Sequence, residues 1–400
     1  MGFLIILHAG TASQCDPADV KGAVFSLIYL DNAATTRPCP EAIEAMERAL
    51  RETWGNPSAS HGPGRAAKAL LEESRKDLLR ALGAKSGTLV FTSGGTEADN
   101  QALQGAVHLG RRIGRHVISS EAEHDAVLKK LEELASRSWE VTLLKPDACG
   151  RVPVSAVAEA LREDTALVSL MLVNNETGAV NDIPGVRALL RSRGSAALLH
   201  TDAVQAFGKL PLEPKALGAD LISLSGHKLG GPKGIGALWV REGLKLPPLV
   251  LGGGQEGGLR SGTEPMPAVA GFAAAAKAAA AGLPGLRDRF LRLRGLLAEA
   301  LPEAVLIGRD EGVCAGHICC VSFPGARAEV LQNWLDGQGV CVSRGSACAR
   351  GRRSHVLTAM GLPPEVIDGA LRVSFSRETT EEEVLAFCRL VKEARARFFP

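Results

Sequence analysis

Aromatic residues are scarce. They make up 4% of the 400 residues, with a single tyrosine, so the core must close by aliphatic packing and close backbone approach. An excess of one charge is missing too. With 46 basic and 44 acidic residues the formal net charge is +2, which gives no support to a general nucleic-acid or membrane-surface binder. The nine cysteines form neither a CxxC pair nor a repeating framework. That argues against a zinc ribbon, a thioredoxin-type site and a secreted disulfide scaffold, and for reduced thiols in a cytoplasm. No Cys/His spacing suggests a metal. The apolar run from Phe3 to Leu7 lacks a basic flank and is too short for a signal core or a membrane span. Residues 1–28 read as an N-terminal extension.

What is present is a globular chain, 46% hydrophobic and 22% charged, long enough for two domains. From residue 88 apolar runs alternate with helical patterns. "TLVFTS" (88–93), "RHVISS" (115–120), "EVTLLK" (140–145), "TALVSLMLVN" (165–174), "AALLHTD" (196–202) and "DLISLS" (220–225) read as strands. Helices are expected at 96–110 and 125–137. This alternation predicts a mostly parallel sheet covered on both faces, with ligands at the carboxyl ends of its strands. After Pro267 the texture changes. Helices at 268–283 and 287–301, a strand at 317–323 and helices near 327–337 and 380–397 predict a smaller α+β domain.

Several of those strand ends carry residues suited to chemistry. "FTSGGTEADN" (91–100) ends a strand and opens a helix, where free N–H groups and the helix dipole favour an anion. Gly95 and Thr96 lie there, although a Thr cap and a tight turn would use the same residues. Asp202 ends a strand as a carboxylate in need of a partner, with Gln205 three residues on. Lys228, in "SGHK", stands at another strand end beside Ser225 and His227. A lysine in a dry site becomes a nucleophile or Schiff-base former, though most lysines are merely solvated. His124 opens a helix, where it could stack on a flat ring or shuttle protons. Together an anion seat, an acidic ring partner and a strand-end lysine are the parts that hold pyridoxal phosphate. Cys348 lies among small residues and Arg344, Arg350, Arg352 and Arg353, a setting that favours thiolate.

Ten segments in order resemble the cysteine desulfurases, pyridoxal-phosphate enzymes of the class V aminotransferase group. They include "YLDNAATT" (29–36), "WGNPSASH" (54–61), "VNNETGAVNDI" (173–183), "HTDAVQAFGKL" (200–210), "SGHKLGGPKGIG" (225–236), "GGGQEGGLRSGT" (252–263) and "GSAC" (345–348). The resemblance implies a fold-type I transferase with a seven-stranded, mostly parallel sheet. Residues 38–282 would form the large domain, and 29–37 with 283–400 the small one. It implies that Lys228 forms the Schiff base and moves the Cα proton, and that Asp202 pairs with the ring nitrogen. Gln205 would bond the ring oxygen and His124 would stack on the ring. Gly95, Thr96, Ser225 and His227 would hold the phosphate, and Thr263 would reach the phosphate of a partner subunit in a homodimer. Asn175 and Arg372 would orient the carboxylate of L-cysteine, and Cys348 would accept its sulfur as a persulfide for an acceptor in iron–sulfur, thio-cofactor or tRNA chemistry. Selenocysteine lyase and a non-enzymatic persulfide carrier or scaffold are the alternatives on the same fold. Arg344 and Gly230 depart from the family pattern, and the loop after Cys348 is short. These departures bear on the sulfur acceptor, for which the arginine cluster suggests an acidic protein. No nucleic acid or membrane partner is implied.

Overall fold

The computed structural model describes residues 27–308, 311–345 and 353–399. Short runs of aliphatic residues form strands β1 (Ile28–Tyr29), β2 (Thr88–Thr92), β3 (His116–Ser120), β4 (Glu140–Leu144), β5 (Thr165–Ser169), β6 (Leu198–Asp202), β7 (Leu221–Ser225) and β8 (Gly236–Val240). All but β1 join one sheet of seven, in the order β2-β8-β7-β6-β5-β3-β4. Strands β3, β5, β7 and β8 are buried along their whole length, and β3, β5 and β7 accordingly read as continuous apolar runs rather than alternating ones.

The seventh strand, β8, was not among the expected runs. It is antiparallel to both neighbours, β2 and β7, and its "GALWV" follows a glycine-rich stretch that masks it in a sequence pattern. The run 165–174 was read as one strand, but β5 ends at Ser169. Beyond it the amides of Leu170 and Leu172 still donate to the carbonyls of His200 and Asp202, so burial continues after the regular ladder stops.

Helices cover both faces. Gly95–Gly110 and Asp125–Ser136 bury Ala102, Leu103, Val127 and Leu131 with Val117, Leu167 and Leu238 of the sheet. On the other face Pro40–Glu52, Gly62–Ala81, Ile183–Ser192 and Met266–Ala281 pack with Leu89, Val168, Leu199 and Ile222. The last of these is rich in alanine, and its Gly271 lies so close to Met46 that a Cβ would come within 2.6 Å of Cγ. Small side chains thus replace aromatic bulk.

A second sheet orders β9 (Val305–Ile307), β10 (Ile318–Ser322) and, after β11 (Val340–Cys341), β12 (Ala370–Ser374) as β12-β10-β9. Leu286–Ala300, Ala328–Gly337 and Glu381–Phe398 close it around a separate core that includes Leu30. β1 pairs in parallel with β11. The start of the described chain therefore belongs to the second sheet's core, and residues 31–36 run from it to the end of β7.

Candidate active site

The carboxyl ends of β6 and β7 deliver side chains to one cavity of about 260 Å³. Its walls include Ala33, Ala34, Gly95, Thr96, Asp99, His124, Asn175, Asp202, Gln205, Ser225, His227, Lys228 and Arg372. The structure thus brings together every anticipated site residue among the described ones except Thr263, which is exposed on a loop away from this cavity. Cys348 lies outside the described residues.

A period of two explains the arrangement. Along β6, His200 and Asp202 point to one face; along β7, Ser223 and Ser225 do the same. Register pairs Asp202 with Ser223, and the helix Gly95–Gly110 lies over that face with its N-terminus at the cavity. The cap of this helix is Gly94, with no side-chain bond; the Thr cap weighed from sequence is not what forms. Thr96 is instead the second helical residue, with its side chain on the cavity wall. His124 has a structural part as well as a place on the cavity wall. It caps Asp125–Ser136, its Nδ1 accepting from the Ala126 amide at 3.1 Å, and its ring lines the cavity.

Lys228 sits in a single 3-10 turn after β7. Its Nζ donates to the carbonyls of Ala33 and Ala34, each at 2.7 Å. Those carbonyls come from the "DNAATT" segment, whose role was not assigned from sequence because main-chain acceptors leave no residue-type signal. Thr36 fastens that segment, its hydroxyl donating to the His227 carbonyl at 2.9 Å and accepting from the Gly230 amide at 2.7 Å. Gly230 has φ +92°, a conformation that side chains strain, so the departure from the family pattern has a local cause.

The electrostatics divide the walls. Burial pushes the Asp202 carboxyl up, while the Val204 amide at 2.8 Å and the charges of His124 and Lys228 pull it back. Burial holds Asp99 well above the usual carboxylate range, reinforced by Asp202. Glu123 is raised in the same way. His200, beneath Asp202, is lowered to about 3 by burial and spans the hydroxyls of Ser169 and Ser223 at 2.8 and 3.0 Å. His227 is lowered to about 4 by burial and then by Lys228. It contacts the Thr35 hydroxyl through Nδ1 at 3.2 Å, so its neutral ring can present Nε2–H to the cavity.

Arg372 enters from β12, buried, with one guanidinium nitrogen on the Asn175 carbonyl at 3.1 Å and the other on Asp31 at 2.9 Å. Five buried polar atoms on the walls have no partner: Asp99 Oδ1, Asn175 Oδ1, Gln205 Oε1, Ser225 Oγ and Arg372 Nε. Buried polar atoms are rarely left unpaired. A lining that combines a hydroxyl, a helix N-terminus, a neutral imidazole, a carboxylate and a lysine fits pyridoxal phosphate. Among the described residues no cluster could hold a metal ion.

Residues 28–387 match the Aminotransferase class-V family. A cysteine desulfurase, IscS, of Methanosarcina thermophila is 40% identical over 371 residues, covering 92% of this chain and 91% of that protein. A cysteine desulfurase of Cereibacter sphaeroides is 43% identical over 366 residues, 89% of this chain and 92% of its own. Among solved structures, a NifS-like protein superposes with a TM-score of 0.88 at 34% identity, covering 93% of this chain and all of its own.

Proposed function

We propose, from the premise that the chain belongs to the cysteine desulfurases of the class-V aminotransferase family, that it takes sulfur from L-cysteine, leaves L-alanine and passes the sulfur through Cys348. The observation that carries this reading is the convergence of Lys228, Asp202, Ser225, His227 and Arg372 on one cavity. Pyridoxal phosphate is the family's cofactor, and when bound it supplies an electron sink next to the substrate's Cα.

The chain's own residues do the rest. Asp202 would hold a proton at the ring nitrogen, His124 would pack against the ring, and Gln205 would bond its oxygen. Gly95, Thr96, Ser225 and His227 would donate to the phosphate. Arg372 and Asn175 hold the substrate carboxylate, and Asp31 and the Asn175 carbonyl fix the guanidinium. Lys228 takes the Cα proton, guided by the carbonyls of Ala33 and Ala34. The Cys348 thiolate attacks the substrate sulfur. The carbon–sulfur bond breaks, a sulfur–sulfur bond forms, and one of the two thiol protons ends on the alanine methyl. Cys348 must then serve an acceptor, so it must reach two places.

Thr263 reaches the partner's phosphate in a homodimer. The exposed Trp54, Leu50 and Leu251 support an apolar face of that kind. Residues 38–282 form the cofactor-binding unit, and 29–37 with 283–400 the smaller one, in line with the two hydrophobic cores. Cys39, Cys149, Cys319, Cys320, Cys341 and Cys388 are free thiols, in keeping with a reducing cytoplasm; no single described helix is long and apolar enough to cross a membrane. The acceptor is an acidic protein in iron–sulfur or other sulfur-transfer chemistry. Of the arginine cluster, Arg353 already pairs with Asp368 at 2.6 and 2.7 Å and Arg344 with Gln332 and Glu329. Arg350 and Arg352 lie outside the described residues.

The test is alanine formation from L-cysteine, with a thiol reductant, by the purified protein and by Cys348→Ala. The parent should form alanine and the variant should not, while both stay yellow with cofactor. Equal alanine formation by the two would remove Cys348 from the reaction. Cofactor without alanine would reopen the substrate, beginning with selenocysteine.

A further inference from the structure

Lys228 separates two spaces. Behind it, away from the site just described, lies a cavity of about 70 Å³ lined by Lys228, Lys209, Arg37, Cys39, Arg377 and Glu378 among others. Lys209 follows β6 and is 6% exposed. Its Nζ donates to the Lys228 carbonyl at 2.6 Å, which occupies one of its three donors. The charged group that acts on it is Lys228, itself a cation. A buried ammonium without an opposite charge is costly.

The surroundings do not supply that charge. Among the described residues Glu378 is the only carboxylate on the cavity wall; it is exposed and lies 4.0 Å from Arg377, which also approaches Glu41 at 3.7 Å. His227 and His317, on the flanks, are held neutral by burial, and Lys209 itself contributes to both shifts. Burial likewise raises the Cys39 thiol and keeps it uncharged. In the holoenzyme, where Lys228 carries the cofactor, Arg37, Arg377 and Lys209 are the cations around a space with one peripheral acid among the described residues.

We propose that this cavity binds a small monovalent anion of halide size, with the Lys209 ammonium as its buried counter-charge. The volume holds a halide and a few waters but not an organic phosphate, so it is no second seat for the cofactor. With the cavity free of anion, burial, with a smaller push from the Lys228 ammonium of the cofactor-free chain, brings Lys209 down to about 7. The anion binds the protonated amine. Binding must then draw a proton from solution above neutrality, and affinity must fall about tenfold per pH unit there. The proposal does not depend on which sulfur compound the enzyme uses.

The experiment uses the holoenzyme, with chloride replacing gluconate at constant ionic strength. Thermal midpoints are read from about pH 6 to about pH 9, and proton uptake is followed on adding chloride at about pH 8 in weak buffer. Chloride should raise the midpoint in mild acid, lose its effect about tenfold per pH unit in alkali, and draw protons. Lys209→Met should abolish all three responses. Arg377→Gln, at the partly exposed rim, should weaken chloride severalfold and keep the pH slope; it and the proton uptake decide the matter if Lys209→Met does not fold. A chloride effect independent of pH, an absence of proton uptake, or a full response in Lys209→Met would overturn the proposal.

Discussion

Lys209 also leaves a mark on folding. Its amine is lowered from 10.5 to about 7 in the folded chain, so between those values the unfolded chain binds the extra proton. Stability then rises with pH across that window, and the cost of keeping Lys209 buried is largest below neutrality. In chloride-free solution, Lys209→Met should flatten the slope of unfolding free energy between about pH 7 and about pH 10, and gain stability relative to the parent at the acid end. A slope that survives the substitution would assign it to another group. His200 offers the contrast. Lowered to about 3, it stays neutral over the whole working range and adds no slope of its own there.

At the scale of elements, the C-terminal helix Glu381–Phe398 shows how local sequence sets a boundary. Thr380 Oγ1 accepts from the Glu383 amide at 3.2 Å, and the Glu383 carboxylate accepts from the Thr380 amide at 2.9 Å, a reciprocal capping box. Thr380→Ala should cost about 1 kcal/mol in denaturant unfolding, without moving the cofactor's absorbance. Continuous apolar runs in β3, β5 and β7 and an alanine-rich stretch at Met266–Ala281 made most elements readable in advance, whereas this cap was not read from the sequence. The antiparallel β8 was hidden because "GALWV" follows a glycine-rich stretch that breaks up the pattern. In the site, Lys228, Asp202 and Ser225 were legible because their chemistry depends on residue type. Asp31 and Asp99 were not, since a buried acid is visible in sequence only once its neighbours are known. The Ala33 and Ala34 carbonyls could not be, because any residue would supply them.

At the scale of the molecule, the homodimer proposal concerns a surface. Trp54 is 71% exposed and Leu251 81%, and single large apolar residues need no explanation, but Leu251 opens the glycine-rich loop that leads to Thr263. Leu251→Asp with Trp54→Glu should turn a dimer into a monomer in sedimentation, and weaken cofactor retention because Thr263 can no longer reach across. A monomeric parent that retains the cofactor fully would end that reading.

The path of residues 28–36 has a consequence for how the enzyme comes into being. β1 is held by β11, and Leu30 sits in the core closed by the C-terminal helix. The segment whose carbonyls hold Lys228 is therefore fastened at one end to the central sheet through Thr36 and Gln205 and at the other to parts of the chain made after that sheet, the parts that also carry Arg372. A nascent chain can build the central sheet, with Asp202, Ser225 and Lys228 in place, well before those partners exist. Birth order thus separates the two halves of the machine: the seat for the cofactor is finished early, and the grip on the substrate only after the final strand has left the exit tunnel.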